Sequence, residues 1–446
     1  MEFTGPETII VEILRTPELQ RMRRVRQLGM AYQVFPAAEH SRFTHSLGAA
    51  HLAIRFGRHL RNFSRPVLSE FLRIDDSAIR DLAIAALCHD VGHGPLSHAW
   101  EREVIGDHFD REAWMDTLGI DMSDRPPLAN AKWHEIITDA ILGWTDGALH
   151  RLLEQHEPGS TKRIRNLLRG SHYLTYLPKL LSADVDVDRA DFLLRDAHTC
   201  GVGYGTYDFN WLISTSRIGF TDRDDLVLGF DERKSPSVIE QVILARASLY
   251  ETLYFHKTVR SAEMMVGLLL RRLRVVDREP LVKEAAGTFM PYIKALSGNP
   301  LTVDELLKLD DFGLFQFIEA VAECRGLDPT ARDLAQRVIS RNFFKLVAQG
   351  ERVTARLQDH RFYERMIGAV KPYAPAAPDF YVNSDLAVIS LLNEAEAEKS
   401  YFVGDDDRAS PISSHPRFNK YVTDRRELHR VFTIEEAVQD VRKEFA

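Results

Sequence analysis

The most informative stretch of this 446-residue chain is ALCHDVGHGPLSH, residues 86–98. An apolar run ends at Cys88, and an imidazole and a carboxylate, His89 and Asp90, follow it directly. Neighbouring residues on a regular helix point about 100° apart, so this pair can hold one ion only where the helix ends. The two glycines and the proline that come next predict such an end. Because nitrogen and oxygen ligands together suit a first-row divalent metal, the stretch predicts a metal-dependent hydrolase.

Histidines are concentrated around this stretch. Nine of the 17 fall between residues 40 and 134, namely His40, His45, His51, His59, His89, His93, His98, His108 and His134. Core histidines would be spread more evenly, whereas a metal or phosphate site needs several imidazoles in one place, as neutral ligands or as protonated donors. The concentration therefore favours a site over the alternative, a turn whose histidines are merely solvated.

Composition restricts the class of protein. A hydrophobic content of 45% and a charged content of 27% are typical of a globular protein. No run reaches the roughly 18 apolar residues of a membrane span, and the N-terminus lacks the features of a signal peptide. Three widely spaced cysteines, Cys88, Cys200 and Cys324, indicate a reducing compartment, so we expect a cytoplasmic protein without membrane association. The net charge of -8 disfavours a dedicated nucleic-acid binder, although a local basic patch could still bind nucleic acid.

Periodicity and capping residues predict a mainly all-α fold. Helices are expected over residues 17–28, 41–63, 76–88, 131–143, 146–155, 161–168, 184–197, 237–274, 303–308, 312–325, 329–340 and 349–358. One β-hairpin is expected, with strands at 219–220 and 226–230.

A proline-rich segment, residues 372–378, predicts a linker. It would divide a helical catalytic body, residues 1–371, from a small mixed α/β C-terminal lobe, residues 372–446. In that lobe we expect strands at 380–382 and 400–403, a polar loop at 404–414 and a helix at 433–445.

Four residues form a candidate set of metal ligands: His45, His89, Asp90 and Asp188. Two imidazoles and two carboxylates would leave about two of six octahedral positions for a substrate oxygen and a water. Considered singly, His45 could be a partly exposed helix residue, and Asp188 could belong to a solvated acidic face. Their spacing is not a local motif, so spacing alone does not join them.

The order of several motifs resembles one family, the HD-domain deoxynucleoside triphosphate triphosphohydrolases, which include a vertebrate enzyme with a sterile-alpha-motif domain and bacterial relatives. The matching segments are RTPELQRMR (15–23), QLG (27–29), VFP (34–36), HSRFTHSLG (40–48), CHDVGHGPLSH (88–98), KWHE (132–135), DVDRADFLLRD (186–196) and RASLYETLYFHK (246–257). The resemblance covers roughly residues 10–275. It implies an HD-domain helical bundle and a homo-oligomer, dimer or tetramer. It also implies that metal-activated water attacks the α-phosphorus of a dNTP, which gives a deoxynucleoside and tripolyphosphate.

The resemblance assigns a role to each matching residue. His45, His89, Asp90 and Asp188 would hold a divalent metal, with Mn, Mg or Fe expected and Ni, Co or Zn as alternatives. His93, His98 and His134 would face the phosphates, with His134 as the acid/base or leaving-group donor and Glu135 as the carboxylate that orients it. The substrate contacts would be Arg42 and Arg189 at the phosphates, Gln27, Asp196 and Arg246 at the sugar 3′-hydroxyl, and Leu28, Phe192 and Tyr254 against the sugar.

An effector site is implied less completely. The positions that match effector contacts of the family are Gln20, Arg23, Val34, Phe35 and Lys257. Arg15 stands where the family has an aspartate that reads guanine, and the motif that usually precedes it is absent. Phe192 and Tyr250 replace a tyrosine and a histidine of the vertebrate enzyme. We therefore expect an altered effector or none.

Two other functions stay open. A nuclease or phosphodiesterase that acts on nucleic acid or a cyclic nucleotide could use the same metal centre. A basic channel with aromatic stacking platforms would favour it, whereas the acidic net charge and the matching sugar-pocket positions disfavour it. A non-catalytic nucleotide sensor would be expected to lack a metal ligand or His134, and all of these are present.

Overall fold

The computed structural model describes residues 8–63, 73–104, 110–284, 287–392, 400–422 and 425–445. Most of these residues are helical, which confirms the predicted fold class. The helices before the first strand are α1 Ile9–Ile13, α2 Pro17–Arg21, α3 Arg42–Phe63, α4 Asp76–Cys88, α5 His98–Val104, α6 Arg111–Thr117, α7 Arg125–Leu128, α8 Trp133–Gly143, α9 Ala148–His156, α10 Ser160–Leu168, α11 Val187–Cys200 and α12 Phe209–Ser214. The helices after the hairpin are α13 Pro236–Leu249, α14 Lys257–Val275, α15 Glu279–Glu284, α16 Met290–Leu296, α17 Val303–Leu306, α18 Asp311–Glu323, α19 Pro329–Ile339, α20 Glu351–Leu357 and α21 His360–Val370, and two short helices follow at Asn419–Val422 and Val438–Lys443. His108 lies outside the described residues.

Helices α3 and α4 pack together at the centre of the fold. Helix α4 begins after Asp75, whose carboxylate accepts a hydrogen bond from the N–H of Ala78. Its last seven residues, 82–88, are all buried. Because α4 ends at Cys88, the His89-Asp90 doublet lies at the C-terminal end of a buried helix, as the sequence predicted.

Helix α11 packs against α3 and brings Asp188 to it. The carboxylate of Asp186 caps the helix by accepting a hydrogen bond from the N–H of Arg189. Gly48 on α3 permits the close approach, because a Cβ at this position would overlap the carboxylate of Asp191. The predicted helix at 184–197 therefore exists, shifted by three residues along the chain.

The single helix predicted for 237–274 is wrong. Helix α13 is followed by a π-helical turn, Tyr250–Tyr254, and His256 then adopts an extended conformation before α14 begins. The ring of His256 accepts a hydrogen bond from the N–H of Thr258, which caps the new helix. Because no proline lies at the break, composition gives no signal for it, and π-helical turns often accompany functional sites.

Two small sheets complete the fold. The predicted hairpin is confirmed as β1 Ser216–Phe220 and β2 Leu226–Asp231. The sheet order is β1-β2-β5-β6, where β5 is Tyr401–Val403 and β6 is Ala409–Pro411. The second sheet has the order β3-β7-β4, formed by Lys345–Gln349, Arg425–Thr433 and Val382–Ser390.

Strands from both sides of the predicted boundary at 371/372 share each sheet. The boundary itself stays a prediction. The predicted strand at 400–403 is present, whereas the helix predicted for 433–445 shortens to Val438–Lys443, because residues up to Thr433 pair in β7. None of the helices in the described part of the chain has the length and apolar character that crossing a membrane requires.

Candidate metal and phosphate site

The four predicted metal ligands, called the metal set below, lie together. His45 is fully buried, and its Nε2 lies 3.0 Å from Asp188 Oδ1. His89 Nε2 lies 3.4 Å from His45 Nε2 and 3.5 Å from Asp188 Oδ1. Asp90 completes the group, with Oδ1 3.4 Å from His89 Nε2 and Oδ2 3.7 Å from His45 Nε2.

The orientation of the two imidazoles fits a metal. His45 Nδ1 lies 2.8 Å from Asp191 Oδ2, and His89 Nδ1 lies 2.7 Å from the carbonyl oxygen of Ala86. Because each Nδ1 faces an acceptor, that nitrogen can keep its proton while each Nε2, directed to the same point, gives its lone pair to a metal ion. Two Nε2 atoms and two carboxylates this close need a positive charge between them, either a proton or a metal ion. The donor set therefore fits a first-row divalent ion.

Charge in the metal set also favours a cation. Burial alone would lower the pKa of His45, but hydrogen bonds with Asp188 and Asp191 outweigh it and raise that pKa to about 10. Burial opposes the ionisation of Asp90, yet the positive charges of Arg42 and His89 hold the pKa of its carboxyl well below the usual range. The carboxylates that stabilise a proton on His45 would also attract a metal ion, which would take the place of that proton at Nε2.

The three remaining predicted histidines converge on a carboxylate that the sequence analysis missed. Nδ1 of His93 and Nδ1 of His134 each lie 2.9 Å from Glu101 Oε1, and His98 Nδ1 lies 3.6 Å from Glu101 Oε2. The rings of His93 and His134 are stacked, with centroids 3.9 Å apart. We call these four residues the imidazole group. Their ligand atoms lie within 4.8 Å of one another, so they too could hold an ion.

The orienting role predicted for Glu135 is wrong. Glu135 is exposed, and its Oε2 accepts a hydrogen bond from the N–H of Lys132 at the start of α8. Neighbours on a helix point about 100° apart, so Glu135 faces away from the nitrogen that Glu101 holds on His134. Glu101 follows His98 by three residues on α5, and this spacing on one helix face was the available signal.

The imidazole group joins the metal set through one contact. His93 Nε2 lies 3.3 Å from Asp90 Oδ1. Burial, together with the positive charges of Arg42 and His134, lowers the pKa of His93 to about 3. Burial opposes the ionisation of Glu101, but its histidine neighbours outweigh it and hold the pKa of Glu101 well below its usual range. The group thus has an anionic carboxylate beneath a neutral imidazole of His93.

A glycine allows the imidazole group and the metal set to lie side by side. A Cβ at Gly92 would overlap the backbone of His134 and of Thr138, so only glycine lets the turn lie against α8. Thr138 Oγ1 accepts a hydrogen bond from the N–H of Gly92 and donates one to the carbonyl oxygen of His89, both at 3.0 Å. The turn is thereby fixed beside the helix that carries His134.

The two predicted phosphate-binding arginines lie at the edges of the metal set. Arg42 donates from Nε to Ser97 Oγ at 2.8 Å and forms an ion pair with Asp90. Arg189 donates to the carbonyl oxygen of Ala183 and lies 3.8 Å from Asp186 Oδ2.

Predicted sugar-binding residues meet around Asp196, which is buried. Tyr254 donates its hydroxyl proton to Asp196 Oδ2 at 2.7 Å, and His40 Nε2 lies 2.7 Å from Asp196 Oδ1. Burial and the nearby carboxylate raise the pKa of Tyr254 well above its usual value, so the hydroxyl stays a donor. The ring of Phe192 lies 6.3 Å from the ring of Tyr254 and 6.5 Å from that of His45. His40 was not predicted to belong to this group.

The other sugar-binding candidates lie around this core. Gln27 donates its backbone N–H to the carbonyl oxygen of His40. The guanidinium of Arg246 lies 5.6 Å from the ring of Tyr250, and that ring lies 4.9 Å from the ring of Tyr254. Leu28 is half-buried in a small apolar cluster with Val259. Arg246 therefore reaches the sugar-binding core through aromatic contacts.

A family model described as HD domain matches residues 42–194. The chain is 29% identical over 341 residues to the uncharacterized protein YwfO of Bacillus subtilis, a match that covers 76% of this chain and 68% of YwfO. It is 30% identical over 264 residues to the Dictyostelium discoideum homolog of the deoxynucleoside triphosphate triphosphohydrolase SAMHD1, covering 58% of this chain and 45% of that protein.

The chain therefore contains an HD domain over residues 42–194 and is similar to deoxynucleoside triphosphate triphosphohydrolases. It is 28% identical over 396 residues to SAMHD1 of Gallus gallus, and there the match covers 86% of this chain and 61% of the relative. The chain spans between 45% and 68% of the length of these three relatives. A crystal structure of a phosphohydrolase from Bacteroides thetaiotaomicron matches with a TM-score of 0.73 at 20% identity, over 97% of this chain and 96% of that one. The shared fold thus extends beyond the HD domain into the C-terminal part.

A cavity of about 500 Å³ opens beside the metal set of this HD-domain protein. Its wall includes His89, Asp90, Lys132, His134, Asp188 and Arg189. This volume lies within the usual range for small-molecule sites. Asp196 and Tyr254 are outside its wall, and Phe192 is the link between them and the metal set.

The five predicted effector residues fall into two places. Arg23 donates to Gln20 Oε1 at 2.9 Å, and its guanidinium lies 3.6 Å from the ring of Phe43. Val34 and Phe35 pack near the start of α14, where the ring of Phe35 lies 5.9 Å from that of His256, next to Lys257. Their effector role stays a prediction.

Proposed function

We propose that this HD-domain protein hydrolyses deoxynucleoside triphosphates to a deoxynucleoside and tripolyphosphate. The observation that carries the proposal is the meeting of the metal set and the imidazole group along one cavity, whose wall includes Asp90, Asp188, His134 and Arg189. A triphosphate carries several negative charges and needs cations and hydrogen-bond donors arranged around it in advance. A metal ion, an arginine and imidazoles along one wall supply them.

The chemistry divides between the metal and the chain. A divalent metal held by the metal set would lower the pKa of a bound water toward neutrality and polarise a phosphoryl oxygen. Mn, Mg or Fe is our first choice of metal, with Ni, Co or Zn as alternatives. Arg42 and Arg189 would exchange their present partners for phosphate oxygens.

His134 would complete the reaction. Glu101 holds its Nδ1, so its Nε2 is the nitrogen available to the substrate. As water oxygen bonds to the α-phosphorus and the bond to the sugar 5′-oxygen breaks, His134 would donate the proton that this oxygen takes up. His98 would donate a hydrogen bond to a phosphate oxygen, and His93, which lies between Glu101 and Asp90, would keep these two carboxylates in place beside the phosphates.

The sugar would lie against Asp196, Tyr254 and Phe192. A 3′-hydroxyl would donate to the carboxylate of Asp196, which Tyr254 and His40 hold in place. Gln27 and Arg246 would add polar contacts, and Leu28 with Tyr254 would leave no room for a 2′-hydroxyl.

The test is to incubate metal-loaded protein with each dNTP, singly and mixed, and to identify the products by chromatography. We expect deoxynucleoside and tripolyphosphate in equal amounts. Release of pyrophosphate or orthophosphate, or of mononucleotides from added DNA without dNTP turnover, would contradict the proposal and favour a phosphodiesterase or nuclease.

Assembly and location are also proposals. On the resemblance alone we propose a homo-oligomer, dimer or tetramer, which analytical ultracentrifugation would test. Cys88, Cys200 and Cys324 are not joined in disulfides, which supports a reducing, cytoplasmic location.

A further inference from the structure

A loop far along the chain contacts two segments next to the site, one at Leu96 and one at Arg26. Residues 309–311, called the support loop, lead from α17 into α18, whose first residue is Asp311, well beyond the HD match. Asp311 is fully buried, and its Oδ1 accepts a hydrogen bond from the N–H of Leu96 at 2.7 Å. Its Oδ2 accepts one from the N–H of Arg26 at 2.9 Å. One carboxylate thus ties two segments that flank His98 and Gln27.

The turn that Asp311 holds is strained. Leu96 and Ser97 have φ angles of 54° and 53°, in the left-handed region that residues with a side chain seldom adopt. Such conformations persist where surrounding contacts impose them, often at functional sites. Ser97 Oγ accepts a hydrogen bond from Arg42 and donates one to the carbonyl oxygen of Arg26 at 3.3 Å. The strained pair therefore places Arg42 as well as the start of α5.

The support loop reaches the HD turn through a buried arginine. Arg21 Nε donates to the carbonyl oxygen of Leu309 at 2.9 Å. Its two terminal nitrogens donate to the carbonyl oxygens of Val91, at 3.2 Å, and of His93, at 2.6 Å. Arg21 thus holds the backbone before Gly94, and Asp311 holds the backbone after it. Arg21 is itself bound to the support loop through Leu309.

We propose that Asp311 is a positioning residue for the proposed reaction, which holds the Leu96–Ser97 turn so that His98 and Arg42 face the substrate phosphates. Its carboxylate touches backbone and lies outside the wall of the cavity. The proposal rests on the proposed function, because the expected change in kcat assumes that the protein hydrolyses deoxynucleoside triphosphates.

The charge of Asp311 makes this role sensitive to pH. Burial raises the pKa of Asp311 to about 6, against the opposing effect of the two N–H donors and of Arg26. The other charged or titratable groups that influence or face it are Asp310, Arg21, Tyr292 and Tyr32. Below about pH 6 the carboxyl is protonated, and one of its oxygens becomes a donor that faces an N–H.

The test compares Asp311→Asn with a matched control, Asp304→Asn. The amide keeps one acceptor but turns an N–H donor toward the N–H of Arg26 or Leu96. Asp304 is an exposed aspartate of α17, paired with Lys308, so its change removes a charge of the same kind without touching the site. We expect Asp311→Asn to bind metal as the wild type does and to lose at least about tenfold in kcat, the scale of a small misplacement of reacting groups. The control should keep the wild-type kcat.

The ratio of wild-type to variant kcat separates positioning from general damage. It should fall toward one as pH drops below 6, because the wild type then loses the same acceptor; other titrations cancel in the ratio. A ratio constant between pH 5 and pH 8, or a kcat near that of the control, would overturn the proposal.

A readout without substrate keeps the two proposals apart. Amide hydrogen exchange of the segment 91–98 should be faster in Asp311→Asn than in Asp304→Asn. If the wild type does not cleave dNTPs, the proposed function is refuted. If exchange is nevertheless faster in Asp311→Asn, the role of Asp311 in holding this turn still stands. If Asp311→Asn does not fold, Ser97→Ala removes the next link, and it should lower kcat; a wild-type kcat in that variant would count against the proposal.

Discussion

The metal set and the imidazole group surround the same kind of side chain with different partners. In the metal set, His45 and His89 are held from outside by Nδ1 and present Nε2 to one point. In the imidazole group, the Nδ1 atoms face inward onto Glu101. The first arrangement gathers lone pairs and carboxylates and so stabilises a cation, whereas the second neutralises one carboxylate and leaves Nε2 of His134 for an anion. Because Nδ1 is the held nitrogen in both groups, the surroundings of Nε2 decide what each histidine can bind.

The largest expected effect comes from breaking the metal set. Asp188 faces both His45 and His89, and it is about a third exposed, so its removal opens the site without emptying the core. Asp188→Ala should lose the metal of this set and bring hydrolysis to background, with the circular dichroism spectrum unchanged. Asp222→Ala, in the exposed turn of the hairpin, is the control and should keep both metal and activity. Full metal content in Asp188→Ala by elemental analysis would refute the ligand assignment.

The next effect tests the imidazole group through a matched pair of glutamates. Glu101→Gln should keep the metal but slow turnover by about 100-fold, because the amide holds Nδ1 of His134 less strongly and no longer balances its charge. Glu135→Gln should change turnover little, since the hydrogen bond of that side chain caps its own helix and the nitrogen of His134 is held by Glu101 instead. Single-turnover rates with metal-loaded protein measure both. A larger loss in Glu135→Gln would restore the role that the sequence suggested.

Glu101 and Glu135 also show how much of the candidate site could be predicted from the sequence. The histidines and aspartates of the metal set lie together in the structure, but in the sequence only the resemblance joined His45 and Asp188 to the doublet, because their contact depends on how α11 packs on α3. Glu135 was chosen because it is next to His134, although adjacency on a helix separates side chains. Glu101 and His40 reach their partners from other segments, and local spacing does not encode such contacts.

In the fold, too, local features could be predicted from the sequence and long-range contacts could not. Helices such as α4, with a cap and a buried apolar run, were predicted nearly to the residue. The break at Tyr250–Tyr254 was missed because no proline marks it. Strand β7 was missed because its pairing with β3 and β4 is a long-range contact, and strand preference depends on such neighbours.

A smaller effect concerns the choice of sugar. Tyr254→Ala should raise the rate for ribonucleotides relative to deoxynucleotides by about tenfold, since it removes the ring proposed to fill the space of a 2′-hydroxyl. Tyr254→Phe keeps the ring and loses only the hydrogen bond to Asp196, so it should retain sugar selectivity. The ratio of kcat/KM for ATP and dATP measures the change. Equal cleavage of both by the wild type would show that this ring does not select the sugar.

The smallest expected effect is the response to GTP, which lies outside both groups. Guanine presents two N–H donors on its pairing edge, and a guanidinium such as that of Arg15 offers only donors in return. Arg15 is exposed, while the neighbouring Gln20 side chain donates to the carbonyl oxygen of Leu14 and accepts from Arg23. Leaving guanine unpaired costs about 1–3 kcal/mol per group, so GTP should change the turnover of dATP, dCTP or dTTP by no more than about twofold. Steady-state rates with and without GTP or dGTP, at fixed metal, measure this. A large activation that disappears in Arg23→Ala would show that guanine is sensed here without a carboxylate at position 15.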